Sequence, residues 1–180
     1  ATTQKPEVMI QALNDFYLTS NANVHRGIYE LSEKATNAYE QSRDGVAKFI
    51  NATADEIIFT SGTTMGLNLI AKYIIEDRLE QDDIIVISQL EHHSNILPWQ
   101  DIVKRKKAKL IYLKLNEDLS INLDQLTEIL KGGKVKLISL SMMSNVTGVK
   151  CDFKKVRDMI DELSANTLLI GDAAQYIAHE

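Results

Sequence analysis

Residues 59–68 contain a turn and a helix start in an order that is typical of phosphate-binding segments. Residues 57–60 form a short apolar run that predicts a β-strand, followed by a sharp turn at Gly62 and an amphipathic helix entered through Thr63 and Thr64. The first N–H groups of a helix have no partner within the helix, and the helix dipole favours negative charge there. The two hydroxyls add further donors. Taken alone, this segment indicates either a phosphate ligand or an ordinary N-capped helix start.

Three further polar segments each follow a predicted strand. They are Glu91-His92-His93, Ser144-Asn145 and Asp172-Ala173-Ala174-Gln175. In open parallel α/β sheets, ligands bind beyond the carboxyl ends of the strands. We therefore expect phosphate donors, a flat imidazole ring, an amide and a carboxylate to converge on one edge of a sheet.

The chain alternates between strand-like and helix-like segments. Strands are predicted at residues 57–60, 84–88, 109–113, 136–141 and 167–171, and helices at 6–18, 29–50, 64–79, 94–107, 123–130 and 153–163. Several strands are continuously apolar, as in sheets covered on both faces. The alternation predicts an α/β fold with a mainly parallel sheet and flanking helices. We predict an N-terminal helical arm and long helix over residues 1–50, and an α/β domain over 51–180.

Composition restricts the class of partner. The 180 residues are 44% hydrophobic and 25% charged, with a net charge of -5, which argues against general affinity for nucleic acid. The apolar runs are too short to span a bilayer, so no membrane partner is expected. The single Cys151 excludes an internal disulfide and a Cys-only metal site, and no metal is predicted. The absence of a visible leader predicts a cytoplasmic protein, with import after trimming of a targeting peptide as the alternative.

As a set, these segments resemble the SUF-type cysteine desulfurases, which belong to the class V aminotransferases of the fold-type I pyridoxal-phosphate enzymes. The matching stretches are residues 4–6, 22–27, 59–64, 91–99, 144–145 with 148, and 172–175. The resemblance spans nearly the whole chain but only part of the family's usual length. It implies pyridoxal 5'-phosphate as the cofactor and an incomplete fold-type I large domain, without the C-terminal small domain.

The resemblance also implies roles for individual residues in holding the cofactor. Thr63 and Thr64 would hold its phosphate, and His92 would stack on the pyridine ring and relay protons. Asp172 would pair with the pyridinium nitrogen, and Gln175 would bind the ring hydroxyl oxygen. The alternative for Asp172 is a strand-end residue that caps the following turn.

Other residues are assigned by resemblance to the substrate. Asn145 would contact the substrate carboxylate or the cofactor edge, although an Asn in a turn is the alternative reading of the local sequence. His25 and Arg26 would bind substrate, and an Arg can pair a carboxylate bidentately. The alternative for that loop is a solvated surface segment. Residues 1–3 correspond to a family segment that lines the substrate pocket.

The implied reaction converts L-cysteine to L-alanine and leaves a persulfide on the enzyme, from which sulfur passes to an acceptor protein for iron–sulfur cluster assembly. A homodimer is implied as well. The family needs a cofactor-binding lysine in a Ser-x-His-Lys context and a later catalytic Cys; no such motif occurs here, and Cys151 lies too early. We therefore expect this chain to be part of a longer enzyme and to be inactive alone.

Three other functions are alternatives to a cysteine desulfurase. A selenocysteine lyase acting on L-selenocysteine would use the same cofactor site. A non-catalytic interaction protein would keep the fold without the chemistry. A nucleotide-binding module of the Rossmann type fits poorly, because no Gly-x-Gly-x-x-Gly follows any predicted strand.

Overall fold

The computed structural model describes residues 3–164 and 166–179. The chain forms two compact units, Ala1–Phe59 and Thr60–Glu180. Compact units need not be domains, so the domain division predicted at residues 1–50 and 51–180 stays a prediction. Of the predicted substrate segment 1–3, residues 1 and 2 lie outside the described residues.

The first unit consists of two helices and a short turn. Helix α1 spans Glu7–Thr19 and helix α2 spans Glu30–Phe49, followed by a 3₁₀ turn at Ala54–Glu56. Both helices are confirmed within one residue of the predicted bounds. Helix α2 buries Ser32, Ala35 and Ala47, whereas α1 buries none of its residues in the described structure.

The second unit is built on a parallel sheet, as predicted. Its strands are β1 (Ile84–Ser88), β2 (Lys109–Leu113), β3 (Val135–Ser141) and β4 (Leu168–Asp172), in the spatial order β2-β1-β3-β4. All three strand pairs are parallel. The carboxyl ends of β1, β3 and β4 therefore lie side by side at one edge.

Helices cover both faces of this sheet. They are α3 (Thr63–Ile70), α4 (Leu97–Lys106), α5 (Leu123–Lys131) and α6 (Phe153–Leu163). Successive strand residues point to opposite faces, so Ile85 and Ile87 belong to one core cluster and Val86 to the other. The first cluster includes residues of α3 and α4, and the second includes residues of α5 and α6. The two clusters explain why the strands are apolar without interruption.

Local side chains fix where two of these helices begin. The Asn122 side chain accepts a hydrogen bond from the Gln125 N–H at 2.9 Å, and the Asp152 side chain accepts one from the Lys155 N–H at 2.9 Å. Such N-caps satisfy backbone donors that the helix itself leaves free. Helices α5 and α6 accordingly match their predictions closely.

The predicted helix over residues 64–79 is only partly confirmed. Helix α3 is followed by a π turn at Ala71–Ile75 and a 3₁₀ turn at Glu76–Arg78. The buried side chains Leu67, Ala71, Ile75 and Leu79 recur every fourth residue. That spacing exceeds the 3.6 residues of an α-helical turn, and the wider π turn keeps these side chains on one face.

The predicted helix over residues 94–107 starts later than expected. A 3₁₀ turn covers His93–Asn95, and α4 begins at Leu97 with Pro98 in its first turn. Proline is well tolerated there because the first N–H groups of a helix are unpaired anyway. The helix ends at Lys106, and the C-cap residue Lys107 adopts a left-handed conformation with φ of 56°.

The strand predicted at residues 57–60 is wrong. These residues pair with none of the four described strands, and Ile58 is 78% exposed. A strand is stabilised by its ladder partner, so an apolar run without one stays irregular.

None of the helices within residues 3–164 and 166–179 is both long and apolar enough to cross a membrane.

We predict that Leu126→Ala lowers the free energy of unfolding by about 2–5 kcal/mol, because this α5 side chain is fully buried and its removal leaves a cavity. Urea denaturation measures the change. Leu119→Ala is the matched control, since Leu119 is 44% exposed in a turn. Equal losses in the two variants would contradict the assigned core.

Candidate functional site

Three predicted site residues follow neighbouring strands at the carboxyl edge of the sheet. His92 follows β1, Asn145 follows β3, and Asp172 is the last residue of β4. Since the spatial order of these strands is β1-β3-β4, His92, Asn145 and Asp172 lie in that order along one edge of the sheet. The positions of these three residues along the edge agree with the expectation, whereas Thr63 and Thr64 do not follow a strand, because residues 57–60 form none.

His92 lies where two clefts meet. One cleft of about 890 Å³ is lined by Thr64, His92 and His93, together with side chains of α3 and α4. The other, of about 270 Å³, is lined by His92, His93 and Asn145. The exposed His92 ring is therefore reachable from both the start of α3 and the loop after β3. His93, which received no catalytic role from the sequence, also lines both clefts.

The start of α3 has the features of an anion site. Gly62 precedes the helix with φ of 152°, a backbone conformation that other residues rarely adopt. No side chain within the described residues caps this helix end, and the first backbone bond runs from the Gly66 N–H to the Gly62 carbonyl at 3.1 Å. The N–H groups and hydroxyls of Thr63 and Thr64 thus remain available to a ligand.

Asp172 is buried at the end of β4, with 6% of its surface exposed. Its Oδ1 accepts a hydrogen bond from the Ala174 N–H at 3.0 Å, so it does cap the following turn. Its backbone carbonyl accepts from the Met142 N–H at 2.9 Å, which joins the ends of β3 and β4. Gln175 is half-buried in the turn after Asp172, and neither side chain lines the two clefts.

Asn145 lies in a tight loop whose shape is set by its neighbours. The Ser144 N–H donates to the Val149 carbonyl, and the Gly148 N–H donates to the Ser144 carbonyl, both at 3.0 Å. Gly148 has φ of 71°, which suits glycine. The loop leaves Asn145 exposed beside His92 in the smaller cleft.

A buried polar network beneath His92 was not predicted. The carboxyl group of Glu91 accepts hydrogen bonds from Ser88 Oγ at 2.5 Å, Asn95 Nδ2 at 2.6 Å and Ser141 Oγ at 2.7 Å. All four residues are buried. Its donors come from β1, β3 and the 3₁₀ turn, so the network ties the His92 segment to two strands.

Asn95 extends this network toward the core. Its Oδ1 accepts from Trp99 Nε1 at 2.9 Å and from Ser139 Oγ at 2.5 Å. Trp99 is fully buried. The signal in the sequence was the serines within and at the ends of otherwise apolar strands, which hydrophobic patterning alone does not identify as buried.

The ring of His92 is held by Ser94. The Ser94 N–H donates to His92 Nδ1 at 3.2 Å, and Ser94 Oγ lies 2.8 Å from the same nitrogen. The Nε2 side of the ring is thereby left for contacts with a ligand. The ring of His93 stands edge-on to that of His92, with centroids 6.1 Å apart.

His25 and Arg26 belong to the first unit. His25 Nε2 lies 2.9 Å from Glu40 Oε1, and the His25 ring stands edge-on to that of Tyr39. The backbone N–H of His25 donates to Thr36 Oγ1 at 3.0 Å. These contacts hold the loop against α2, while the Arg26 side chain is exposed. Their role toward a substrate stays a prediction.

Cys151 is protected from ionisation. Burial, followed by the charges of Glu91 and Asp152, raises the pKa of the Cys151 thiol to about 12. Since the thiolate is the nucleophilic form, this cysteine is unsuited to sulfur transfer at neutral pH. The sequence likewise predicts no catalytic role for Cys151.

Comparison with known proteins shows the family to which this α/β chain belongs. All of residues 1–180 match the family model Aminotransferase class-V, and the chain belongs to this family. The mainly parallel fold-type I architecture and the family resemblance predicted from the sequence are thus confirmed.

Several proteins similar to this chain are named cysteine desulfurases. The chain is 41% identical over 182 residues to the cysteine desulfurase SufS of Plasmodium falciparum, covering 99% of this chain and 33% of that protein. It is 39% identical over 180 residues to a probable cysteine desulfurase of Halalkalibacterium halodurans, covering 99% of this chain and 44% of that protein. The apo structure of the cysteine desulfurase from Thermococcus onnurineus NA1 superposes with a TM-score of 0.92 at 33% identity, covering 99% of this chain and 43% of that one. The chain spans less than half the length of these relatives.

We predict that Glu91→Ala lowers the free energy of unfolding by about 3 kcal/mol or more. Three buried donors would lose their acceptor, and each unsatisfied donor costs about 1–3 kcal/mol. Urea denaturation measures the loss. Glu117→Ala, at an exposed position, serves as the control and should change stability by less than about 0.5 kcal/mol. A loss as small as the control's would show that the network does not stabilise the fold.

We also predict that Cys151 reacts slowly with iodoacetamide in the folded protein. With a pKa of about 12, its thiolate fraction at pH 9 is on the order of 10⁻³. Unfolding restores the ordinary pKa of the thiol, so its contribution to stability is present below about pH 8.5 and is lost as the pH rises toward 12. Mass spectrometry of the peptide that contains Cys151 measures the alkylation rate. Equal rates with and without urea would refute the assigned environment.

Proposed function

We propose that the whole protein containing this chain is a pyridoxal-phosphate-dependent cysteine desulfurase. L-cysteine and an enzyme thiol yield L-alanine and an enzyme persulfide, so the substrate C–S bond breaks and an S–S bond forms. The observation that carries the proposal is the alignment of His92, Asn145 and Asp172 at the ends of neighbouring parallel strands. The names of the relatives support the same reaction.

The start of α3 fits the phosphate of this cofactor. Its N–H groups and the hydroxyls of Thr63 and Thr64 supply donors, and the positive end of the helix dipole favours the anion. The absence of a capping side chain among the described residues supports this use, because a cap would compete for the same donors. When bound, the cofactor supplies an electron sink for the substrate carbon.

Asp172 and Gln175 would face the cofactor ring. A buried carboxylate at the end of β4 can hold a proton on the ring nitrogen, which strengthens the electron sink. One oxygen of Asp172 already accepts from Ala174, which fixes the direction of the carboxyl group. Gln175 would donate to the ring hydroxyl oxygen.

His92 would stack on one face of the cofactor's pyridine ring. Its exposed imidazole lines both clefts, and flat rings stack favourably in offset arrangements. Asn145, in the neighbouring loop, would bind the substrate carboxylate or the cofactor edge. His25 and Arg26 would bind the substrate carboxylate, for which a guanidinium is well suited.

We further propose that the protein is a homodimer and passes sulfur to an acceptor protein for iron–sulfur cluster assembly. The large exposed apolar side chains of α1 support self-association. They include Val8 at 77% exposure, Tyr17 at 67% and Leu18 at 82%. Exposed apolar side chains grouped on one helix are suited to being covered by a second copy of the chain.

We predict that His92→Ala and Asp172→Asn each reduce L-alanine formation from L-cysteine by about 10²-fold or more in the whole natural protein, because both would contact the cofactor. Asp118→Asn, at an exposed position, is the control and should leave the rate unchanged. The measurement is alanine release with saturating pyridoxal phosphate, with L-selenocysteine tested in parallel.

Normal rates in both site variants would refute the assigned site. Turnover of L-selenocysteine alone would favour a selenocysteine lyase. Cofactor binding without turnover of either substrate would favour a non-catalytic protein that keeps the fold.

A further inference from the structure

Ser94 places two polar groups at one nitrogen of the His92 ring. Its backbone N–H lies 3.2 Å from Nδ1, and its Oγ lies 2.8 Å from the same atom. No comparable contact within the described residues reaches Nε2. The two ring nitrogens of His92 are therefore in different environments before any ligand binds.

The chemistry of the contact decides which nitrogen carries the proton. A backbone N–H can only donate, so Nδ1 must accept, and an accepting nitrogen has no hydrogen of its own. A neutral imidazole has one N–H, which must then be on Nε2. The Ser94 hydroxyl can donate to the same lone pair and strengthens this preference.

The position of Ser94 is fixed by the surrounding network. The Asn95 N–H donates to the His92 carbonyl at 2.7 Å, which closes the 3₁₀ turn. The Asn95 side chain is in turn bound to the buried Glu91. The donor that faces Nδ1 is thus held by buried contacts on its C-terminal side and does not rely on a flexible loop.

We propose that Ser94 is a positioning residue that holds neutral His92 as the Nε2–H tautomer. The ring then presents a hydrogen-bond donor at the nitrogen left for a ligand, and that nitrogen cannot also accept a proton. A neutral imidazole N–H can polarise a bound acceptor without transferring its proton. Proton uptake would require Nδ1 to release the Ser94 N–H, which opens the cap of the turn.

This assignment has a consequence for the reaction that rests on the proposed function. His92 would orient and polarise an acceptor atom beside the cofactor ring, whereas the base that removes a proton from the substrate would be another group. Loss of the Ser94 hydroxyl should then lower kcat and leave the Michaelis constant nearly unchanged.

The test is the ¹⁵N spectrum of the histidine rings in the whole natural protein, labelled with ¹⁵N-histidine and free of cofactor and substrate. It is recorded at mildly alkaline pH, and His92→Gln assigns the signals. We expect the His92 Nδ1 signal at the position of an unprotonated nitrogen and Nε2 at that of an N–H. A spectrum with Nδ1 protonated, or with both nitrogens averaged, would overturn the proposal.

Two variants test the role of Ser94 directly. Ser94→Ala keeps the backbone N–H, which still favours an accepting Nδ1, but removes the hydroxyl, and we expect the two nitrogen signals to move partly toward each other. Ser94→Thr should restore the wild-type spectrum. Ser42→Ala, which removes an exposed hydroxyl bound to the Ala38 carbonyl in α2, is the matched control. A wild-type spectrum in Ser94→Ala would overturn the positioning role of the side chain.

Activity supplies the second readout. In Ser94→Ala, we expect kcat for alanine formation to fall about tenfold and the Michaelis constant to change less than about twofold. Because the spectra need no turnover, they decide the tautomer even if the protein proves not to be a desulfurase. Failure of the proposed function and failure of this inference are therefore distinguishable.

Discussion

The buried carboxyl group of Glu91 is the constraint on which the site depends. A polar group removed from water must find its partners inside the protein, and here the partners come from β1, β3 and the turn after His92. These three hydrogen bonds fix the turn after His92 relative to both strands. His92 is next to Glu91 in the chain, so its position follows from that arrangement.

The rest of the site depends on the sheet. Apolar strand residues pack under helices on both faces, and parallel pairing brings the ends of β1, β3 and β4 to one edge. Backbone hydrogen bonds then place the segments beyond that edge, such as the bond from Met142 to the carbonyl of Asp172. The core therefore determines which residues meet, and the polar contacts determine how each one is oriented.

Much of this could be predicted from the sequence because the relevant signals are local. Apolar runs predicted β1 and β2 with their exact bounds, and α6 was predicted equally well. The parallel topology then brought His92 and Asn145 together without any knowledge of their contacts. Residues 57–60 were misassigned because an apolar run cannot indicate whether a partner strand is present.

The remaining features could not be predicted because they depend on contacts between distant segments. Ser139 and Ser141 bind Asn95 and Glu91 across more than forty positions of the chain. Hydrophobic patterning places these serines in a strand but does not indicate which buried partners they bind. For His25, the structure shows contacts with α2, but these contacts do not indicate whether the residue binds a substrate.

The π turn at Ala71–Ile75 has a consequence for how the length of this segment can vary. A π turn is an α-helical turn with one residue inserted, so deletion of one residue here would restore a regular helix. Each residue of an α-helix accounts for a rotation of about 100°. A chain shortened by one residue would keep its helical propensity and its composition, yet either Thr63 and Thr64 or the buried Leu79 would turn away from the positions they now occupy. Insertions and deletions in this segment are therefore constrained by rotational phase as much as by hydrophobicity.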